Sequence, residues 1–348
     1  MTQLACVSAR VTGTERLSEH LVRVRVAGEQ LWTMPWGEQG PGPRADAYLK
    51  VLVPPRRGQL LDVDVSDVAR WRREFMAAPP EQSGWIRTYT VRDATTVDLA
   101  GREVPELAID VVLHGDPEHG MGPGAAWGES TLEGEDVQLL VPTGDAAWWA
   151  AWDEHRAAGQ DVVLAGDETA LPAMAAIVDG LDQGVRVQAG ATTCAPPRRL
   201  EVAVEVPTGG DAATAAGPRA LERATSSPGD RALRVRLAGG TELSWTWLPR
   251  EDRARNLALE LWLWARLCER TRRGWRRAEP ETGSAHGTAA EDPEFVWNTA
   301  STEGRGTYWF LAAESSGVKS LRRMCVSAGV SRGDISFMGY WRLGAATE

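Results

Sequence analysis

Two patterns predict a two-part β + α/β chain: strand-like segments joined by turns as far as about residue 145, and alternating strand and helix from about 146 to 348. The length of 348 residues is enough for two domains, each with its own core. An apolar content of 43% and a charged content of 25% are those of a soluble globular protein that needs no disulfide staples.

In the first part, "LVRVRVAG" (21–28) alternates apolar and polar side chains, the period-two mark of a strand. "AYLKVLVP" (47–54) is apolar and stops at a proline pair. "DVSDVARWRREFMAAPP" predicts a short helix ended by Pro79. "GWIRTYTVRDA" (84–94) sets Arg87, Tyr89 and Val91 against Thr88, Thr90 and Arg92, again a strand. "ELAIDVVLHG" (106–115) and "DVQLLVPTG" (136–144) complete the series. Strands with long connections marked by Pro and Gly predict an antiparallel barrel.

In the second part, "DVVLAG" (161–166) is a short apolar strand, "ETALPAMAAIVDGL" (168–181) a helix and "RLEVAVEVP" (199–207) the next strand. That rhythm predicts a parallel sheet with crossover helices. A loop rich in Gly, Ala and Pro (207–230) precedes "ELSWTWLPR", and 250–273 predicts a helix with Leu257, Leu261, Trp264 and Cys268 on its apolar face. Residues 274–306 resemble a linker, most of it disordered or loosely packed. A strand at 307–313, a helix over about 315–328 and a closing strand in "DISFMGYWRLG" follow.

Composition excludes several classes. The net charge of −10 argues against a general nucleic-acid binder, which needs a basic face. Cys6, Cys194, Cys268 and Cys325 form no CxxC pair, which predicts reduced thiols in a cytoplasmic protein and no metal site. "MTQLAC" has no apolar run before Cys6 to make a lipoprotein signal, and "NLALELWLWARLC" is too short to span a bilayer. Most of the sixteen Trp are expected to be packing residues.

Three segments carry candidate chemistry. In "HGDPEHGMGPGAAWG" (114–128), "GMGPGA" fits GxGxxA, but the preceding strands read as antiparallel and no acid-ended strand arrives about 20 residues later. Pro123 suits the first turn of a helix whose unbonded amides, at Gly124, Ala125, Ala126 and Trp127, would accept a pyrophosphate. His114, Asp116, Glu118 and His119 are expected to be loop residues rather than metal ligands. On the strand at 84–94, Arg87 suits a phosphate, Tyr89 a flat heterocycle and Thr90 a ring nitrogen, which together suggest a flavin dinucleotide. "LAGDETALPAM" (164–174) puts Asp167, Glu168 and Thr169 at the carboxyl end of a parallel strand, where open α/β sheets bind ligands; Asp167 or Thr169 is also placed to cap the next helix.

With the ending "FLAAESSGVKSLRRMCVSAGV…GYWRLG", these segments closely resemble the siderophore-interacting protein family, FAD-dependent ferric-siderophore reductases within the ferredoxin-reductase-like flavoproteins. "RTYTVR" resembles its RxYTxR, "HG…GPGAAWG" its HG…GPASxWA, and "GDETALPA" and "GYWRLG" match almost unchanged. The resemblance implies a six-stranded FAD-binding barrel over 1–145 and an NAD(P)H-binding α/β domain over 146–348. It implies that Arg87, Tyr89, Thr90 and Arg92 hold the flavin, with Tyr89 and Thr90 at its reacting ring, and that His114, Gly122, Gly124, Ala125, Ala126 and Trp127 serve the pyrophosphate side. Asp167, Thr169, Ala170, Glu314 and Trp341 would face the nicotinamide nucleotide and flavin. Two positions depart from the family: Ala125 stands where it has Ser, and Ala313 where it has Gly in "AGE".

The expected activity is transfer of electrons from NADPH or NADH through FAD to a ferric siderophore, by a monomer that binds neither nucleic acid nor membrane. Lys50, Arg322 and Arg342, with Arg92, are candidates for a basic rim where an anionic ferric chelate docks. The alternatives are a flavoprotein reductase with another acceptor and a non-catalytic flavin- or siderophore-binding protein.

Overall fold

The computed structural model describes residues 4–36, 40–116, 120–144, 149–184, 195–212, 216–226, 232–272, 297–301, 304 and 306–343. Strands β1 (Leu4–Arg16), β2 (Leu21–Ala27), β3 (Tyr48–Val53), β4 (Trp85–Thr90), β5 (Asp93–Leu99) and β6 (Arg102–Val112) come first. A small ribbon, β7 (Gly115–Asp116) with β8 (Gly120–Met121), and then β9 (Asp136–Pro142) follow. The main sheet has the order β4-β3-β9-β1-β2-β6-β5, antiparallel throughout. It has seven strands, one more than the expected six.

The sheet closes because its two edge strands are consecutive in sequence. β4 ends at Thr90 and β5 begins at Asp93; between them Val91 N–H donates to Ala47 O and Arg92 N–H to Ala108 O. The chain thus passes from the β3 side to the β6 side within two residues, which curls the sheet into a barrel. Its interior is filled by alternate residues of the strands, among them Val24, Leu49, Val51, Ile109 and Leu139. Helix α1 (Val68–Ala77) stops before Pro79 as expected, a further short helix α2 (Pro80–Ser83) starts after it, the two bridging β3 and β4, and α3 (Pro123–Ser130) packs against β6.

The second sheet is built from β10 (Asp161–Gly166), β11 (Arg199–Val206), β12 (Ala232–Arg236), β13 (Glu242–Pro249), β14 (Trp297–Asn298), β15 (Tyr308–Glu314) and β16 (Ile335–Trp341). Its order is β12-β13-β11-β10-β15-β16-β14, parallel except for the edge strands β12 and β14. The helices of this half are α4 (Glu154–Ala157), α5 (Leu171–Gln183), α6 (Gly209–Ala212), α7 (Leu257–Arg272) and α8 (Ser315–Ser327). α5 lies in the core on one face of the sheet, α7 and α8 in the core on the other.

Two expectations are corrected here. On α7 the buried row is Leu259, Leu263 and Leu267, whereas Leu261 and Trp264 of the predicted face are 56% and 61% exposed. The helix carries two apolar stripes, and periodicity alone does not say which one meets the sheet. At the end of the linker-like stretch, Trp297 and Asn298 pair with Met338 and Phe337, so this part is an edge strand. Residues 273–296, and the domain boundary at 145/146, lie outside the described residues.

The halves meet through buried polar contacts. Arg92, 3% exposed, pairs with Asp179 of α5 at 2.8 Å and donates to Gly217 O at 3.0 Å. Asp46 accepts from Ala151 N at 2.8 Å and Trp152 N at 3.0 Å, and burial pushes its carboxyl up to about 6. No helix among the described residues is long and apolar enough to cross a membrane.

Candidate flavin and nucleotide site

A cavity of about 450 Å³ opens where the barrel, α3 and the carboxyl ends of the parallel strands converge. Arg87, Tyr89 and Thr90 of β4 line it beside Gly122, Gly124 and Ala125 at the start of α3. His114 lines it from the end of β6, and Thr169, Trp341 and Arg342 from the α/β half.

The junction of α3 with β4 is shaped by an absent side chain. A Cβ at Gly124 would collide with the Tyr89 hydroxyl and lie 3.2 Å from Arg87 Cγ, so only glycine lets the helix start this close to the strand. One turn on, a Cβ at Gly128 would lie 2.6 Å from Val111 Cγ1, which fixes the same approach against β6. Pro123 sits in the first turn with Gly122 as the capping residue. Ala126 N–H donates to Gly122 O at 2.9 Å, so Gly124 and Ala125 carry the first-turn amides without an intrahelical partner. The predicted set of amides therefore shrinks by Ala126, which is exposed, and by Trp127, which packs against Tyr89 at 6.1 Å between centroids.

Burial pushes the Tyr89 hydroxyl up and keeps it neutral. Burial also holds the His114 imidazole below its ordinary range, so it is uncharged near pH 7. His114 stacks on Trp341 with centroids 5.1 Å apart and planes 28° apart, and the Arg255 guanidinium lies over the same indole at 5.1 Å.

Asp167 organises the α/β side. Its Oδ1 accepts from Thr169 N at 3.0 Å and Thr169 Oγ1 at 2.5 Å, while Oδ2 accepts from Glu314 N at 2.8 Å and Trp341 Nε1 at 3.0 Å. Burial, aided by Glu168, pushes it up to about 6. Glu314 caps α8 by accepting from Ser316 N and Gly317 N, and Glu168 is held by both Arg250 and Arg255. These carboxylates hold the site together from behind, and Asp167 and Glu314 lie behind the cavity wall instead of lining it. Ala170 is likewise fully buried at the start of α5.

Two predicted cations are elsewhere. Arg92 is committed to Asp179 because the strand breaks at Val91, and Arg322 of α8 lies over Phe337 at 4.8 Å, away from the cavity. Ala313 is no obstruction: it is fully buried in the core that α7 and α8 cover. His119 and Glu118 lie outside the described residues, and no cluster of metal-ligating side chains occurs among those described.

Sequence reasoning missed Tyr48 and Tyr340, which line the cavity next to Thr90. Tyr48 pairs across the sheet with Thr90, and Tyr340 lines the same cavity from β16. The first was readable from "YLK", where Tyr48 and Lys50 share a face.

Residues 10–146 match the siderophore-interacting FAD-binding domain, and residues 218–344 match the siderophore-interacting protein domain. The chain belongs to the siderophore-interacting protein family. An uncharacterized protein of Mycobacterium tuberculosis is 36% identical over 177 residues, 49% of this chain and 52% of that protein. The ferric vibriobactin reductase of Vibrio cholerae is 28% identical over 165 residues, 47% of this chain and 49% of that protein. The chain thus spans about half the length of the curated relatives it matches. A siderophore utilization protein from T. fusca superposes with a TM-score of 0.54 at 22% identity, covering 99% of this chain and 95% of that one. Its likeness lies in the ferredoxin-reductase-like fold: an antiparallel barrel followed by an α/β domain.

Proposed function

We propose that this member of the siderophore-interacting family is a NAD(P)H-dependent flavoprotein reductase that reduces ferric siderophores and so releases ferrous iron. The observation that carries the reading is the Gly124 cradle, where two free helix amides and the side chains of Arg87 and Tyr89 converge on a cavity lined by both halves. Those groups fit FAD: the amides of Gly124 and Ala125 and the Arg87 guanidinium would hold the pyrophosphate, with the helix dipole favouring its charge. Tyr89 would lie along the flavin ring and Thr90 would offer its hydroxyl at the ring edge. Bound FAD would supply the conversion of a nicotinamide's electron pair into the single electrons that ferric iron accepts.

In this reading the barrel is the flavin domain and the α/β half the nicotinamide domain. Thr169 lines the cavity with its hydroxyl fixed by Asp167, so the carboxyl end of β10 presents a rigid wall to a nicotinamide nucleotide. Trp341, held by Asp167 and stacked on His114, closes the space between the two halves. The free thiols of Cys6, Cys268 and Cys325 support a cytoplasmic setting.

The test is a visible spectrum of the purified protein under anaerobic conditions, before and after NADPH or NADH, followed by a ferric siderophore with a chromogenic ferrous chelator. Flavin bands that bleach and then return as ferrous iron appears support the proposal. Bands that bleach with no ferric chelate able to restore them would assign another acceptor. A protein that binds no FAD would end the reading.

A further inference from the structure

Asp46 supports one wall of the cavity from behind. It is 1% exposed, and each of its carboxylate oxygens accepts one backbone amide, from Ala151 and from Trp152, across the junction between the halves. The same segment is tied to β3 by Tyr48 N–H, which donates to Trp149 O at 2.9 Å. Together these bonds set the Trp149 ring beside the Tyr48 ring, 5.8 Å between centroids. Both rings line the cavity, as does Thr90, the residue paired with Tyr48. The backbone is bent to allow it: Ala45, buried and next to Asp46, has a φ of 48°, a left-handed conformation that alanine seldom adopts.

No cation answers this carboxylate among the described residues. Arg44, two residues back and equally buried, directs its guanidinium to the carbonyls of Trp36, Gly40 and Pro43. Lys50, further along β3, lines the cavity and donates to Thr88 Oγ1 at 2.9 Å. The titratable groups close enough to feel Asp46 are three phenols: Tyr48 on β3, Tyr308 on β15 and Tyr340 on β16. Burial, with the Asp46 charge adding to it, pushes all three up and keeps them neutral. An ionised Asp46 is therefore a lone negative charge behind Tyr48 and Tyr340 of the cavity wall. Its field is not cancelled by a neighbour of opposite sign, so it reaches further than that of a paired carboxylate.

We propose that Asp46 is a positioning residue of the flavin site: it fixes Trp149 against Tyr48, and the gain or loss of its proton makes the potential of bound FAD depend on pH. The inference rests on the function proposed above and adds a control to it. With the proton on, the wall is uncharged, and one oxygen becomes a hydroxyl that accepts its amide less well. With the proton off, the charge behind the wall opposes the electrons that reduction brings to the flavin. Burial pushes the carboxyl up to about 6, which places the change near neutral pH. Asp167, beyond Tyr340, is also up at about 6, so the two carboxyls are separated by comparing D46N with D167N.

Redox titration of the flavin-loaded protein between about pH 5 and about pH 8 reads the potential without turnover. Wild type and D46N should agree at the acid end and separate as pH rises through about 6. At the alkaline end reduced flavin should be favoured about tenfold more in D46N, about 30 mV for a two-electron couple. One unit charge exerts a bias of that size over roughly 12 Å at an effective dielectric constant of about 20. The same separation should appear in a D167N background. A purely structural loss would give an offset that does not change with pH. In the flavin-free protein, the indole N–H resonance of Trp149, assigned with W149F, should shift with a midpoint near pH 6 in wild type and D167N and stay flat in D46N. Circular dichroism checks that D46N is folded, and the wild-type resonance needs no variant. Equal potentials at every pH, a constant offset, or a Trp149 resonance that does not titrate in wild type would overturn the inference. A protein that takes up no FAD would end the reductase reading, and the Trp149 titration would still decide whether Asp46 governs the wall.

Discussion

Gly124→Ala adds one methyl group at the junction on which the flavin reading depends. The new Cβ would overlap the Tyr89 hydroxyl and stand 3.2 Å from Arg87 Cγ and 3.5 Å from its Cδ. Tyr89 cannot swing away freely, since its ring is packed against Trp127. Either α3 lifts off β4 or the two side chains proposed to hold FAD are displaced. Overpacking of this kind costs about 1–3 kcal/mol. Each 1.4 kcal/mol is tenfold in affinity, so FAD should bind about 5- to 140-fold more weakly if the whole cost falls on the bound state. Fluorescence titration of the apoprotein with FAD measures the loss, and a thermal melt reports any change in stability. Gly122→Ala, read by the thermal melt alone because Gly122 lines the cavity, is the packing control: a Cβ there meets no protein atom within 4 Å and the φ of −65° suits alanine, leaving only a capping change of under about 1 kcal/mol. The double variant G124A/Y89F removes the oxygen that the methyl strikes, so a cycle should recover part of the loss. Wild-type FAD affinity and melting in G124A, or an equal fall in melting temperature in G122A, would refute the close-approach argument.

Other perturbations test the seam and the charged groups. Arg92→Ala leaves Asp179 buried without its cation and should cost about 3–5 kcal/mol in denaturant unfolding; a loss below about 1 kcal/mol would show the pair is dispensable. Burial raises Asp46 to about 6, so the folded protein keeps a proton that the unfolded chain has already released. Its contribution to stability is complete below about pH 4 and is lost as pH rises through about 6. The melting temperature of wild type minus that of D46N should therefore fall across that window, and a rise would reverse the assignment.

Elements with a plain local pattern were legible: β2 and β6 from alternation, β3 from an apolar run stopped by a proline pair, and β10 from a short apolar run bounded by turns. β5, "DATTVDL", is polar, and its place is set by pairing with β6. β1 buries Val7, Ala9 and Val11 in alternation, yet the polar residues at its far end hide the pattern. The site was legible where chemistry is local, as at Arg87–Tyr89–Thr90 and the glycines before α3. It failed where a side chain's direction depends on tertiary structure. Alternation places Arg92 with Thr88 and Thr90, but the chain turns at Val91 and sends the guanidinium into α5. Asp167 and Glu314, 147 residues apart, are tied through a backbone amide, a contact no local spacing foretells.

The turn at Val91–Arg92 has a consequence for modular engineering. The residue that closes the barrel also grips the second half, immediately after the segment bearing Arg87, Tyr89 and Thr90. A chimera carrying a foreign reductase module would inherit Arg92 without Asp179 or the Gly217 carbonyl, and the misfit would fall two residues from Thr90. Transplants that bring α5 and the 216–219 turn together with the barrel should keep that register, whereas a cut in the connecting segment alone should disturb the shared cleft first.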